Sequence, residues 1–297
     1  MPIDLVDLKH HLAQFRQTSY RYQDNLRLTN ARQAVDFVNE RGFIFFWPNK
    51  GIELPSLWGA VAGDRPVPNN HDDPAHITWR WKDDLLDKRQ WYYGRILCRR
   101  NTIISLRMLP FFYALSPNYG TPDEDYLIEY EQGRLGQAEK VVFEALLEQG
   151  PMHTLALRQA AHLASAENAG RFSRALDNLQ RDFRVLPVGT AEAGAWHYSF
   201  VYDVTHRTYP DLPQQAQPVR KREAMNAILS AYFQSVGVAS ARDAKRTLGW
   251  AKAELHGSLN DLVTQNLLMQ IDLNSTGSSK EADPVLQTFF MLPEIQN

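Results

Sequence analysis

The sequence is poor in cysteine, in long apolar runs and in net charge, and each shortage narrows what the chain does. Cys98 is the one cysteine among 297 residues, which excludes internal disulfides and cysteine-rich zinc sites and fits a reducing compartment. No stretch approaches the roughly 18 apolar residues of a membrane span, and no charged-then-apolar leader opens the chain. A cytoplasmic protein without membrane contact is expected. Thirty-two Lys and Arg face 34 Asp and Glu for a net charge of -2, so any nucleic-acid surface is a local patch. A phosphate-cradling glycine loop, a Gly-x-Ser-x-Gly elbow and a His-Glu-x-x-His pair are all missing, which leaves nucleotide hydrolysis and nucleophilic or zinc catalysis without residues. His71, Asp72, Asp73 and His76, flanked by Asn70 and Pro74, read as a polar loop rather than a metal site. Neither a metal nor a cofactor is expected.

Apolar and aromatic residues are plentiful: 44% of the chain is hydrophobic, with 14 Phe, 12 Tyr and 7 Trp, enough for two or three domains with their own cores. The most informative stretch is 155–201. Leu155–Leu163 reads as a short helix, Ser165–Asn168 as a turn, and Arg171–Arg184 as a second helix. Phe183–Val188 and Trp196–Val201 read as strands joined through Gly189 and Gly194. This is the order of a winged helix-turn-helix. On the second helix Phe172, Ala175, Leu176, Leu179 and Phe183 share one arc, and Arg171, Arg174, Asn178 and Arg181 share the opposite one. Arginine and asparagine neutralise phosphates and read purine edges.

Before this stretch, residues 3–23 have the spacing of an amphipathic helix (Leu5, Leu8, Leu12, Phe15), and Thr29 is the expected N-cap of a helix that stops at Gly42. Phe43–Pro48 reads as a strand, 60–77 as loop, Trp79–Tyr93 as helix, and Arg95–Leu106 and Phe111–Leu115 as strands. Ser116–Pro122 is a turn-rich break. Val141–Leu147 starts the central module, and Pro210–Pro218 reads as a linker. The pattern then recurs: helices at Ala227–Phe233, Ser240–Leu248 and Glu254–Asn266, a strand at Leu267–Leu273, a wing loop at Ser275–Ser279 and a strand at Val285–Leu292. A constant offset of 83 matches Leu176 to Leu259, Asp177 to Asn260, Leu179 to Leu262 and Leu186 to Met269, which suggests a duplicated module.

Charge is distributed unevenly. Residues 88–107 hold Lys88, Arg89, Arg95, Arg99, Arg100 and Arg107 and no acidic residue, with Trp91, Tyr92 and Tyr93 among them. Basic groups with interleaved aromatics suit phosphates and exposed bases. The C-terminal module is locally basic through Arg242, Lys245, Arg246 and Lys252. Five tryptophans (Trp47, Trp58, Trp79, Trp81, Trp91) lie between positions 47 and 91 and read as core or as a stacking pocket.

The blocks LRLTNARQAVDFVNERG at 26–42, GIELPSLWGAVAGD at 51–64 and WYY at 91–93, with the two later winged-helix patterns, resemble AlkZ-related proteins, in the superfamily of the AlkZ and YcaQ crosslink-repair DNA glycosylases. The resemblance implies tandem winged-helix units gripping DNA and removal of N7-alkylated purines. It also implies a Gln-Φ-Gln or Gln-Φ-Asp motif after the helix ending at Gly42, where this chain carries Ile44, Phe45, Phe46 and Trp47. Gln270-Ile271-Asp272 and Gln215-Ala216-Gln217 have suitable letters in the wrong context, so they inherit no role. The substitute catalytic carboxylates are then Glu53, within the family-like block, and Asp64 behind it. Phe45, Trp47, Trp58, Trp91 and Tyr92 are the base-stacking candidates.

The expected protein is α+β and mostly helical, with tandem winged helix-turn-helix modules and a small β-rich N-terminal part. The expected domains are 1–134 (aromatic and basic, with a winged-helix-like start), 135–210 (central winged helix) and 218–297 (C-terminal winged helix). The expected partner is double-stranded DNA, alkylated DNA included, bound by a monomer through Arg89, Arg95, Arg99, Arg100, Arg171, Arg174, Asn178, Arg181, Arg242, Lys245, Arg246 and Lys252. Two other readings stay open: a non-catalytic DNA-binding regulator or damage-recognition factor, and a winged-helix scaffold for protein interactions.

Overall fold

The computed structural model describes residues 5–69, 72–194, 197–271 and 288–295. His71, Trp196, the expected wing loop at Ser275–Ser279, Asp272 and the first part of the expected strand at Val285–Leu292 lie outside them. In chain order the elements are α1 (Leu5–Ser19), α2 (Ala31–Arg41), β1 (Phe43–Phe45), α3 (Leu57–Ala62), α4 (Ile77–Leu85), β2 (Tyr92–Arg95), β3 (Asn101–Ile104), α5 (Leu109–Ala114), α6 (Asp125–Glu131), α7 (Gln137–Gln149), β4 (Met152–His153), α8 (Thr154–Ala160), α9 (Ala169–Arg181), β5 (Val185–Ala191), β6 (Ser199–Val204), α10 (Thr205–Thr208), α11 (Leu212–Ala216), α12 (Lys221–Val236), β7 (Val238–Ser240), α13 (Ala241–Leu248), α14 (Lys252–Thr264), β8 (Met269–Ile271) and β9 (Phe289–Met291). The fold is α+β and mostly helical. No helix among the described residues is long and apolar enough to cross a membrane.

One order recurs along the chain: helix, short strand, helix, helix, then two strands. It runs through α7–β4–α8–α9–β5–β6 and again through α12–β7–α13–α14–β8–β9. Both copies form a three-stranded sheet with the first strand beside the last, in the orders β4-β6-β5 and β7-β9-β8. The offset of 83 maps α9 onto α14 end to end. The elements α2–β1–α3–α4–β2–β3 follow the same order, so the N-terminal segment, expected to have a winged-helix-like start and a small β-rich part, is a third traverse of it.

By contacts the chain falls into two units, residues 1–78 with 222–297, and residues 79–221. The boundary expected near 134 is internal to the second of these.

In the first unit, α2 is capped by Asn30, whose side chain accepts from the Gln33 amide at 3.0 Å, while the Gln33 side chain accepts from the Thr29 amide at 2.8 Å. The expected cap was Thr29; the cap is one residue later because Asn30 is the last residue with extended backbone. Gly42 ends α2 at φ 83°, a conformation that favours glycine. α13 opens with a capping box between Ser240 and Asp243 and closes at left-handed Gly249. Arg222 on α12 reaches Asp261 on α14 at 2.6 Å, and Asn226 donates to the same oxygen at 2.9 Å. The Arg222 guanidinium, with Asn226, holds the Asp261 carboxyl down at about 2 against an ordinary 3.8. A folded value below the unfolded one means that the contribution to stability is complete above about pH 3.8 and is lost as pH falls toward 2. Arg222→Ala is expected to return the Asp261 carboxyl toward its ordinary value in an NMR titration. An unmoved value would show that the pair does not form.

The second unit is built on the apolar face of α9. Phe172, Ala175, Leu176 and Leu179 are buried against Val142, Phe143 and Leu146 of α7, Leu157 of α8, and Val185 and Val204 of the sheet. Each such large side chain contributes about 1.5–3 kcal/mol, so the interior fixes which face α9 turns outward. The hairpin pairs Val185 with Val204 and Thr190 with Phe200, with an irregularity between Pro187 and Gly189. Gly189 therefore lies within β5, and the connection falls after Ala191.

Several expected elements differ. Trp79–Tyr93 is helical only as far as Leu85 in α4, and Tyr92 and Tyr93 belong to strand β2. Phe111–Leu115 belongs to helix α5 rather than a strand, since Pro110 suits a first turn and Leu109, Phe112 and Tyr113 are buried at helical spacing. Arg95–Leu106 is two strands around a turn of 3-10 helix in which Cys98 (φ 52°) and Arg99 (φ 55°) are left-handed. Pro210–Pro218 is not a linker; Pro213 sits in the first turn of α11, which buries Leu212 and Ala216.

Lys82 on α4 has a side chain only 1% exposed. Its ammonium pairs with Asp83, donates to the Tyr198 hydroxyl at 3.0 Å and lies over the rings of Phe200 (4.3 Å), Trp79 (5.2 Å) and Tyr93 (5.4 Å). Burial pushes its pKa down, and the bond to Asp83 opposes that shift. Four aromatic rings and one carboxylate replace the water the cation has lost.

Candidate nucleic-acid interface

The outward stripe of α9 and the 95–100 turn, separate candidates in sequence, meet on one surface. Arg95 Nη1 lies 2.8 and 3.1 Å from the two carboxylate oxygens of Asp177, and the Arg95 amide donates to the buried Gln180 side chain at 3.2 Å. One residue cluster further on, Arg99 Nη2 approaches Asn178 Oδ1 at 3.5 Å. Asn178 donates to Glu139 at 2.7 Å, and Arg181 pairs with Asp182 at 2.8 Å. The carboxylates Glu139, Asp177 and Asp182 thus offset part of the positive charge and hold the arginines in place.

Arg99, Arg100, Arg171 and Arg174 carry the uncompensated charge. All four are exposed, and none forms an ion pair with a described residue. Arg171 and Arg174 occupy the first two turns of α9, near the positive end of the helix dipole. Two guanidinium groups and a helix N-terminus together favour phosphate oxygens. Asn178 and Arg181 are tied to neighbours, so their amide and guanidinium hydrogens serve first to position the surface.

The remaining candidates fall elsewhere. Arg89 is exposed on the turn after α4 at φ 50°, beside a cleft of about 210 Å³ that includes Tyr209 and Leu212. In the first unit, Arg242 is exposed on α13, Arg246 pairs with Asp243, Lys245 is half-buried and Lys252 is exposed at the start of α14.

The stacking candidates are largely core. Phe45, Trp58 and Tyr92 are 0% exposed and Trp91 is 2% exposed, so none offers a ring face to a base without unfolding its surroundings. This corrects the expectation for those four. Trp47 is half-buried against Phe46, Trp58 and His76. Trp79 (39%) and Tyr198 (37%) are among the accessible rings and pack edge to face at 6.2 Å over Lys82.

Of the expected catalytic carboxylates, Glu53 is engaged by an arginine and Asp64 is exposed. Glu53 pairs with Arg16 at 3.0 Å, and Arg16 also donates to the Val236 and Val238 carbonyls. That arginine fastens α1 to β7, and Glu53 neutralises it beside a small cleft lined by Leu8, Leu12 and Phe289. Asp64 is exposed, just after Gly63 has ended α3. At the position of the expected polar pair, Ile44, Phe45 and Phe46 are buried.

Sequence spacing missed the partners of the stripe. Asp177 and Arg95 stand 82 residues apart, and the acidic interruption of an otherwise basic helix face was their one visible sign.

The chain is thus a mostly helical α+β protein with one helix–strand–helix–helix–hairpin unit repeated and arginines on the outward helix of the central copy. The chain belongs to the AlkZ-related family, whose sequence model matches residues 28–249. Among solved structures it is similar to the Streptomyces sahachiroi DNA glycosylase AlkZ, with a TM-score of 0.55 over 99% of this chain and 71% of that one, at 12% identity. No curated protein matches it in sequence.

Proposed function

We propose that the chain binds double-stranded DNA as a DNA-repair protein of the glycosylase-like kind, a monomer in the cytoplasm whose repeated units are winged helices. The observation that carries this reading is the joined surface of Arg99, Arg100, Arg171, Arg174 and Arg181, three of which come from the face of α9 opposite its buried residues. The AlkZ similarity supports the link to alkylated DNA. A second reading, recognition of DNA without base excision, is favoured by the buried Ile44, Phe45 and Phe46 where a polar catalytic pair is expected.

A titration of plain and N7-methylguanine-containing duplex at two salt concentrations, with released base measured in the same tubes, separates the readings. Binding that weakens steeply with salt is expected, because each phosphate contact releases counterions. Free 7-methylguanine would establish excision, and binding without release would favour recognition alone. Absence of binding at low salt would refute the DNA reading and leave the scaffold for protein interactions.

A further inference from the structure

A cleft of about 640 Å³ in the second unit, lined by Tyr113, Asn118, Tyr119, His206, Gln214 and Gln217 with prolines and Val219 between them, has no role in the interface described above. Its size is that of a small-molecule site. Its lining contains no Lys or Arg, so it does not select phosphate. Three carboxamides, two phenol rings and an imidazole suit a flat, neutral group with hydrogen-bonding edges.

The walls are rigid where such a group would rest. The Tyr119 ring is 57% exposed, yet its hydroxyl donates to Glu129 at 2.6 Å and its amide donates to buried Asp125. Arg184 holds the preceding Pro117 carbonyl at 2.6 Å. His206 Nε2 is 2.6 Å from Asp123 Oδ1, and burial, working against Asp123, holds its pKa below the usual value. A neutral imidazole that gives its Nε2 hydrogen to Asp123 keeps Nδ1 as an acceptor. Gln214 and Gln217 are exposed, and neither side chain is engaged by a described residue. Position adds to composition: Asn118 donates to the carbonyl of Asp182 at 3.0 Å, and Asp182 caps the C-terminal end of α9. The cleft therefore opens where the arginine stripe ends.

We propose that this cleft binds a nucleobase, stacked on Tyr119 and read by Gln214, Gln217 and His206. Two sources share that chemistry: a base displaced from a duplex lying on the stripe, which rests on the DNA-binding reading above, and a free base. The test uses the full chain with a duplex carrying one unpaired adenine, the same duplex fully paired, and free adenine followed by NMR at the His206 ring. The expected result is about a tenfold preference for the unpaired base. Gln217→Ala and Tyr119→Ala should abolish that preference without changing affinity for paired DNA. The Gln217 side chain is exposed and bonds to no described residue, and its backbone bond to the Pro213 carbonyl survives truncation, so its substitution does not act through folding. A preference unchanged in both variants would overturn the proposal. If the preference is absent but free adenine shifts the His206 signals, the cleft takes free bases; if neither occurs, it is not a base site. Should the wild type bind no duplex at all, the DNA reading fails, and the free-adenine arm still decides the cleft.

Discussion

Replacing Arg171 and Arg174 together by Ala is expected to weaken duplex binding by about a hundredfold at 0.1 M salt. Each phosphate contact contributes nearly one power of ten in affinity per tenfold change in salt, so the slope of log affinity against log salt should also fall by about 2. Both side chains lie on exposed turns of α9, away from the buried Phe172, Leu176 and Leu179, so the unfolding transition should move little. Fluorescence anisotropy across a salt series reads affinity and slope together. An unchanged slope with intact folding would remove this face from the interface. Arg95 is predicted to behave differently. Its guanidinium is committed to Asp177, so Arg95→Ala should alter the seating of the 95–100 turn more than the salt slope.

The second large effect concerns stability. Phe45→Ala or Trp58→Ala is expected to cost about 3–5 kcal/mol, the range for a truncated buried aromatic. Chemical denaturation should show the midpoint shift. Protein that remains folded should bind duplex with its original salt slope. A variant that folds with near-normal stability but loses recognition of an unpaired base would instead return these residues to the stacking role read from sequence. The 0% exposure of both side chains argues for the structural outcome.

Sequence alone revealed the parts of the fold that have a period. The α9 pattern repeats over three turns, its hairpin follows within a few residues, and the offset of 83 that relates Leu176 to Leu259 corresponds to the ends of α9 and α14. Of the first traverse only a winged-helix-like start was legible, because β1 has three residues and long loops separate it from α3 and α4. Phe111–Leu115 was misread because a short apolar run has no period to distinguish strand from helix. The arginine stripe was legible as an amphipathic pattern, but its junction with Arg95 and Arg99 depends on folding across about eighty residues of chain. Aromatic residues gave the opposite lesson. Phe45, Trp58 and Trp91 are as suitable chemically for stacking as Trp79 and Tyr198, and burial alone separates the two groups. Nor does spacing distinguish Glu53 as a partner of Arg16 from Glu53 as a catalytic group.

If the outward face of α9 meets the duplex, its arginines lose access to solvent on binding. The most direct measurement is the rate at which phenylglyoxal modifies individual arginines, with and without duplex DNA, read by mass spectrometry. DNA is expected to protect Arg100, Arg171 and Arg174 and to leave Arg32, exposed on α2, as reactive as before. Equal modification of Arg171 and Arg174 in the bound and free protein, at DNA concentrations that saturate binding, would contradict it.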